Sequence, residues 1–287
     1  MGVLRFGFNV ACTLTEGPRA LAEFSLGKIS KPYIQDIIDE HGLKGDGAPV
    51  ITIPGFCATG LSLKPMRDFL GHNGYKPYDW GQGVNMGPVH YDQKLLVDNI
   101  KRIADDNGRP VNAVVQSLGG VVSKSIAAAL QESGDIGRVI MLGSPVNEKV
   151  LDTEAKGVNK LVQLGFSLAN PSDNPKVVDF MSAVEDTFEQ GLKGVPITAI
   201  YSHCDGVIRA KMAKTSLNGQ RKENVRVFGA SHLGMGFHPI VRLIIADRLA
   251  QSDGVSKQFD PSAYPLLVRS FLPQRNTPFV HRDMAPA

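Results

Sequence analysis

The sequence predicts an open, mainly parallel α/β fold, and three observations carry that expectation. Short apolar, β-branched runs recur from about residue 48 onward, separated by stretches of helix length. The run VNAVVQ at 111–116 has little polar content, as strands do when helices cover both faces of a parallel sheet. Glycine and proline follow the runs directly, at Pro54 and Gly55 and again at Gly143 and Pro145, which marks tight loops leaving a sheet.

Taken in order, residues 49–53 form the first predicted strand and 63–70 a helix closed by Gly71. Residues 76–80 read as a strand and 81–87 as a glycine-rich loop. Leu95, Leu96, Ile100 and Ile103 fall at helical spacing in 95–106, which stops at Gly108. The strand 111–116 leads through Ser117, Gly119 and Gly120 into an alanine-rich helix over 121–130. Residues 138–142 and 196–202 are further strands, 225–228 a weaker one, and 239–250 a helix against the sheet.

One domain is expected over 1–287, with two departures from this rhythm. Residues 147–194 separate two strands and form a candidate cap. Their apolar stripe of Val158, Leu161, Val162, Phe166 and Leu168 either packs on the core or covers an acyl pocket. Residues 260–287 carry Pro261, Pro265, Pro273, Pro278 and Pro286 and read as a surface tail. Residues 1–47 mix Gly, Pro and Thr with short apolar pieces, and the pattern assigns them no topology.

Composition narrows the function classes. Of 287 residues, 43% are hydrophobic and 21% charged, as in an ordinary globular domain, and the net charge of +3 comes from dispersed residues. That dispersal disfavours a nucleic-acid partner. Cys12, Cys57 and Cys204 are odd in number and widely spaced, which fits neither a disulfide framework nor a metal site. The first residues lack the pattern of a secretory signal, Phe6 spoils a myristoylation site, and no apolar run is long enough to cross a bilayer. A cytoplasmic protein is the expectation.

The chemistry centres on VVQSLGGVV at 114–122. A serine between a buried strand and a helix can sit on a sharp turn that exposes its hydroxyl, and small residues two positions either side relieve the crowding. Gly119 fills the downstream position, whereas Val115 departs from the pattern upstream. Asp205 follows the strand at 196–202, at the carboxyl end where open α/β sheets assemble their sites. His232 follows the strand at 225–228 in the glycine-rich GASHLGMG. Ser117, Asp205 and His232 thus occur in the order nucleophile, acid, base, with His203 and His238 as rival bases and His72 and His90 as structural histidines. An oxyanion hole needs two donors. The Leu118 N–H is one candidate, and the loop after the first strand offers Phe56 first and Cys57 second. Residues 81–87 lack the continuation of a phosphate loop, so no nucleotide is implied.

With these residues in hand, the sequence resembles the α/β-hydrolase superfamily, and specifically its lipase- and esterase-like members. The resemblance spans about residues 49–259 and rests on PGFCATGLSLKPMRDFL, DWGQGVNMGP, QSLGGVVSKSIA, VIMLGSPVN, ITAIYSHCDGVI and SHLGMGFHPIVRLIIADRLAQ. It implies a mainly parallel central sheet with flanking helices and an inserted cap or lid. It also implies triad roles for Ser117, Asp205 and His232, oxyanion roles for Phe56 and Leu118, and no cofactor or metal. The expected activity is hydrolysis of a hydrophobic carboxylic ester through an acyl-enzyme. An acyltransferase or thioesterase with the same triad, or a non-catalytic ligand-binding relative, are the alternatives.

Overall fold

A computed structural model describes residues 11–130, 133–146, 160–190, 194–215, 221–252 and 255–273. Its centre is a six-stranded sheet, parallel throughout, with β1 at Pro49–Ile53, β2 at Lys76–Asp79, β3 at Val111–Gln116, β4 at Ile136–Leu142, β5 at Ile197–Tyr201 and β6 at Lys222–Arg226. The strand order is β2-β1-β3-β4-β5-β6. The chain therefore moves outward from β1 to β2, then reverses and builds the other half of the sheet from β3. This reversal opens a crevice at the carboxyl ends of β1 and β3, where open α/β sheets bind their ligands.

Around the sheet lie α1 (Glu16–Ile29), α2 (Lys31–Glu40), α3 (Lys64–His72), α4 (Gln93–Asn107), α5 (Leu118–Ala129), α6 (Lys160–Ala169), α7 (Pro175–Gln190), α8 (Pro239–Leu249) and α9 (Leu266–Ser270). The largely apolar character of the four inner strands, β1, β3, β4 and β5, has a direct cause. Successive side chains point to opposite faces, and both faces are covered. Val50, Val114, Ile140 and Leu142 join α2, α3 and α8 in one core cluster. Ile51, Ala113, Val115, Val139 and Met141 join α4, α5 and α7 in the other. The ends of α4 are set by its sequence: the Asp92 side chain accepts from the Leu95 N–H at 2.9 Å, and Gly108 closes the helix in the left-handed conformation.

The tail differs from its expected surface path, and the candidate cap packs partly on the core. The tail is built into the core as far as it is described: Tyr264, Val268 and Leu272 are buried with α8, beside Phe259 just before it. The Phe259 N–H donates to Glu223 at 2.8 Å, and the Phe228 N–H donates to the Phe271 carbonyl at 2.8 Å. The remainder, 274–287, lies outside the described residues. Of the candidate cap, α7 contributes Phe180 and Val184 to the core beside α5. In α6, Val162 and Phe166 are partly buried whereas Leu168 is exposed. Val158 and the Leu161 side chain lie outside the described residues.

Val115, the departure from the serine motif, is fully buried in the cluster that holds Leu118, Val121 and Val122 of α5. Its side chain is part of the core on the face of the sheet that α5 covers. Val115→Ala should therefore lower the unfolding free energy by about 2 kcal/mol. Urea titrations of the two proteins would read this as a lower midpoint at unchanged slope, and equal midpoints would contradict the packing role.

Candidate active site

Ser117 occupies the single residue between β3 and α5, at φ 51° and ψ −123°. Few non-glycine residues are held there, and such strain persists only when surrounding structure enforces it. Three features do so. The Ser117 N–H donates to the Leu142 carbonyl of β4 at 2.9 Å. The Gly120 N–H donates to the Ser117 carbonyl at 3.0 Å, starting the helix. Gly119 lies so close to β1 that a Cβ there would sit 2.4 Å from the Ile53 carbonyl oxygen. The elbow thus forms with glycine on the downstream side alone. The Leu118 N–H opens the first turn of α5, where backbone donors have no partner within the helix.

Asp205 and His232 meet across the loops that follow β5 and β6. His232 Nδ1 lies 2.8 Å from Asp205 Oδ2, and both side chains are buried. Asp205 is oriented by its own loop, since Oδ1 accepts from the N–H groups of Val207 at 2.9 Å and Ile208 at 2.7 Å. An ionised carboxylate only accepts, so Nδ1 carries the proton and Nε2 keeps its lone pair. Burial pushes the His232 imidazolium down, but the charge and hydrogen bond of Asp205, with Glu16 behind them, outweigh it and leave its pKa raised from the ordinary value. Gln116, the last residue of β3, donates to the His232 carbonyl at 2.9 Å and ties this loop to the strand that carries Ser117.

Ser117 and His232 line one cavity of about 340 Å³. Its other walls are largely apolar, from Phe56, Leu63, Met66, Val162, Val207 and Phe237. The Phe56 ring packs edge-on against Phe166 of α6 at 5.8 Å, so the segment between β4 and β5 does contribute to the cavity wall through Val162. In the loop after β1, the Cys57 N–H donates to the Asn85 carbonyl at 2.8 Å, so that donor is already engaged. Asn85 also donates to the Pro54 carbonyl at 2.7 Å, holding the loop from its far side.

The rival histidines lie elsewhere. His238 is buried against Phe271 at a ring separation of 5.7 Å, and burial lowers its pKa to about 4. His203 is exposed and stacks edge-on with Tyr201, while His90 Nε2 is 2.9 Å from the Ala169 carbonyl oxygen. His72 is exposed at the end of α3. Among the described residues, no group of three or more His, Cys, Asp or Glu side chains could hold a metal ion, and no helix is long and apolar enough to cross a membrane.

Sequence reasoning missed two parts of this site. Gly143, after β4, has φ 54°, and a Cβ there would lie 2.8 Å from Asp205 Oδ2 and 3.2 Å from His232 Nδ1. Its place directly after a strand was visible, but its closeness to the pair was not. The second part is α1, whose buried face presents Glu16 and Glu23. Glu23 accepts from the Ser231 N–H at 2.7 Å, and Glu16 accepts from the His232 N–H at 3.1 Å. Nothing in the local pattern distinguishes these two from solvated glutamates.

No protein-family model matches the sequence, and no curated protein matches it. Solved structures do. A mutant of the esterase E40 is 15% identical, with 72% of this chain and 77% of that one covered and a TM-score of 0.53. An esterase from Pyrobaculum calidifontis is 16% identical over 72% and 77%, with a TM-score of 0.51. The esterase domain of a Rhodothermus marinus protein is 15% identical over 72% and 89%, with a TM-score of 0.51. The chain shares their fold.

Glu23 supplies a pH dependence that can be measured. Burial raises its pKa from an ordinary 4.5 to about 7, against the hydrogen bonds from Ser231 and the charge of Arg19. The folded state therefore binds a proton that the unfolded chain releases between these values. Its contribution to stability is full below about pH 4.5 and is lost as the pH rises to about 7. Denaturant titrations across this range should show wild type losing up to about 3 kcal/mol relative to Glu23→Gln. A difference independent of pH would contradict the assignment.

Proposed function

We propose that this chain, which has the α/β-hydrolase fold, is a carboxylic ester hydrolase that works through an acyl-enzyme on Ser117. The observation that carries the reading is the buried Asp205–His232 pair at 2.8 Å, with His232 and the strained Ser117 facing one apolar cavity. A serine hydroxyl is a weak nucleophile at neutral pH and needs a base beside it. His232, neutral at Nε2, takes the Ser117 proton as Oγ attacks the ester carbonyl, and Asp205 stabilises the imidazolium that forms.

The tetrahedral oxyanion is bound by the N–H groups of Leu118 and Phe56, each worth about 3–4 kcal/mol to such a transition state. His232 then donates its proton to the departing alcohol. A water, deprotonated by the same imidazole, attacks the acyl-enzyme and releases the acid. The walls of Leu63, Met66 and Phe237 suit an apolar acyl group, with Val162 and Phe166 of the intervening segment as part of the cover. The fold similarity to esterases is in keeping with this reading.

The test is hydrolysis of a short-to-long series of acyl esters by wild type, Ser117→Ala and His232→Ala at matched fold content. Each single variant should lose at least about 10⁴-fold in kcat, and the double variant little more, because the two residues act as a unit. A Ser117→Ala protein retaining a tenth of the wild-type rate would overturn the mechanism.

A further inference from the structure

The N-terminal helix α1 is turned against its own hydrophobic pattern. Leu14, just before it, and Leu21 and Ile29 within it are 77%, 68% and 79% exposed, while Glu16 and Glu23 are each 6% exposed. A helix that exposes leucine can bury a carboxylate such as that of Glu16 when the carboxylate finds strong partners. Those partners are the two loops that carry the acid and the base. Glu16 Oε1 accepts from the Gly206 N–H at 2.7 Å, in the loop of Asp205, and from the His232 N–H at 3.1 Å. Glu16 Oε2 accepts from the Leu233 N–H at 3.1 Å.

The surrounding contacts repeat this bridging. Arg19 donates to the Cys204 carbonyl at 2.6 Å on one loop and to the Gly229 carbonyl at 2.9 Å on the other. Thr13 donates to the Gly206 carbonyl at 2.7 Å, and Glu23 accepts from Ser231. Each loop leaves a different strand, and α1 crosses both.

We propose that Glu16 is a positioning residue for the Asp205–His232 pair, its carboxylate fixing the separation of the acid loop from the histidine loop and supplying a second negative charge behind the imidazole. The inference rests on the ester-hydrolase reading for its kinetic consequences, but not for its effect on the histidine itself. The ionisable groups around it are Cys12 and Arg19 from the α1 side, Glu23 on the same helix, and Cys204 and Asp205 on the acid loop. Arg19 lies 3.9 Å from Glu16, and burial keeps the Cys12 thiol protonated by raising its pKa. The Glu16 carboxylate lies against the His232 backbone, and its charge acts to raise the histidine's pKa.

In Glu16→Gln, one oxygen can keep two of the three N–H donors, but the amide NH₂ then faces the third. Ester hydrolysis by this variant should lose about 10- to 100-fold in kcat with KM nearly unchanged, the range typical of groups that orient a functional side chain. The acid limb of kcat/KM should move to lower pH, because a neutral residue no longer favours the imidazolium. Arg19→Met separates charge from simple loosening: it breaks two of the bridging contacts but leaves the Glu16 charge, so it should not move the acid limb down.

A proton NMR titration of His232 in wild type and Glu16→Gln reads the same shift without any substrate. A lower His232 pKa in Glu16→Gln with reduced kcat supports the proposal; an unchanged titration, or an unchanged kcat in a folded variant, overturns it. If Glu16→Gln does not fold, Glu16→Asp takes its place: reduced kcat with an acid limb near that of wild type supports the proposal, and wild-type kcat overturns it. Wild type inactive on every ester, with the His232 shift present, would remove the ester-hydrolase reading and leave the positioning role standing.

Discussion

The contact between His232 Nδ1 and Asp205 Oδ2, 2.8 Å long and closed off from water, sets the terms for everything around it. A buried carboxylate is costly unless its oxygens are matched with donors, and Asp205 is matched by two backbone N–H groups and the imidazole. The same environment fixes the tautomer, so that the nitrogen facing the cavity is the basic one. The sheet provides the platform. Parallel strands bring the loops after β1, β3, β4, β5 and β6 to one edge, and the reversal between β1 and β3 leaves that edge open.

Placement alone does not hold the pair at hydrogen-bonding distance, because the two residues sit on separate loops. Each loop is tied on two sides. Gln116 holds the histidine loop to the strand of Ser117, and Gly143 allows β4 to pass close beneath both side chains. From the outside, α1 spans both loops with Glu16 and Arg19. A helix that exposes Leu21 and Ile29 in order to do this gives up favourable burial, which is understandable only if the polar contacts on its other face matter more. Local consistency fails here, and such failures tend to mark functional regions.

The inner strands of the sheet were legible because they are short, largely apolar and followed by turn residues. β1 and β3 match their expected limits, and Ser117 was visible because a serine there sits between a strand and a helix. β6 was read at 225–228 but lies at Lys222–Arg226. Only Val225 of this edge strand is a buried apolar residue; its acidic member, Glu223, accepts from Thr198 at 2.7 Å and pairs with Arg248 at 2.9 Å, long-range partners that no local pattern contains. The tail was misjudged for a related reason: its prolines suggested an exposed path, whereas Phe259 and Tyr264 stack at 5.6 Å within the core. The role of α1 was illegible because the pattern assigned residues 1–47 no topology, and the helix buries Glu16 and Glu23 while exposing Leu21 and Ile29. Between Phe56 and Cys57 the sequence states only a preference, and the Cys57–Asn85 hydrogen bond that bears on it runs across the loop, outside any local pattern.

On the proposed mechanism, Ser117 is a nucleophile made reactive by His232. Covalent labelling tests it without knowledge of the natural substrate. Wild type, Ser117→Ala and His232→Ala would be treated with an alkyl phosphonate that reacts with activated serines, digested, and analysed by mass spectrometry. The account predicts a single adduct on the peptide containing Ser117 in wild type, none in Ser117→Ala, and a strongly slowed reaction in His232→Ala. Wild type that stays unlabelled, or an adduct that forms elsewhere and survives loss of Ser117, would contradict it.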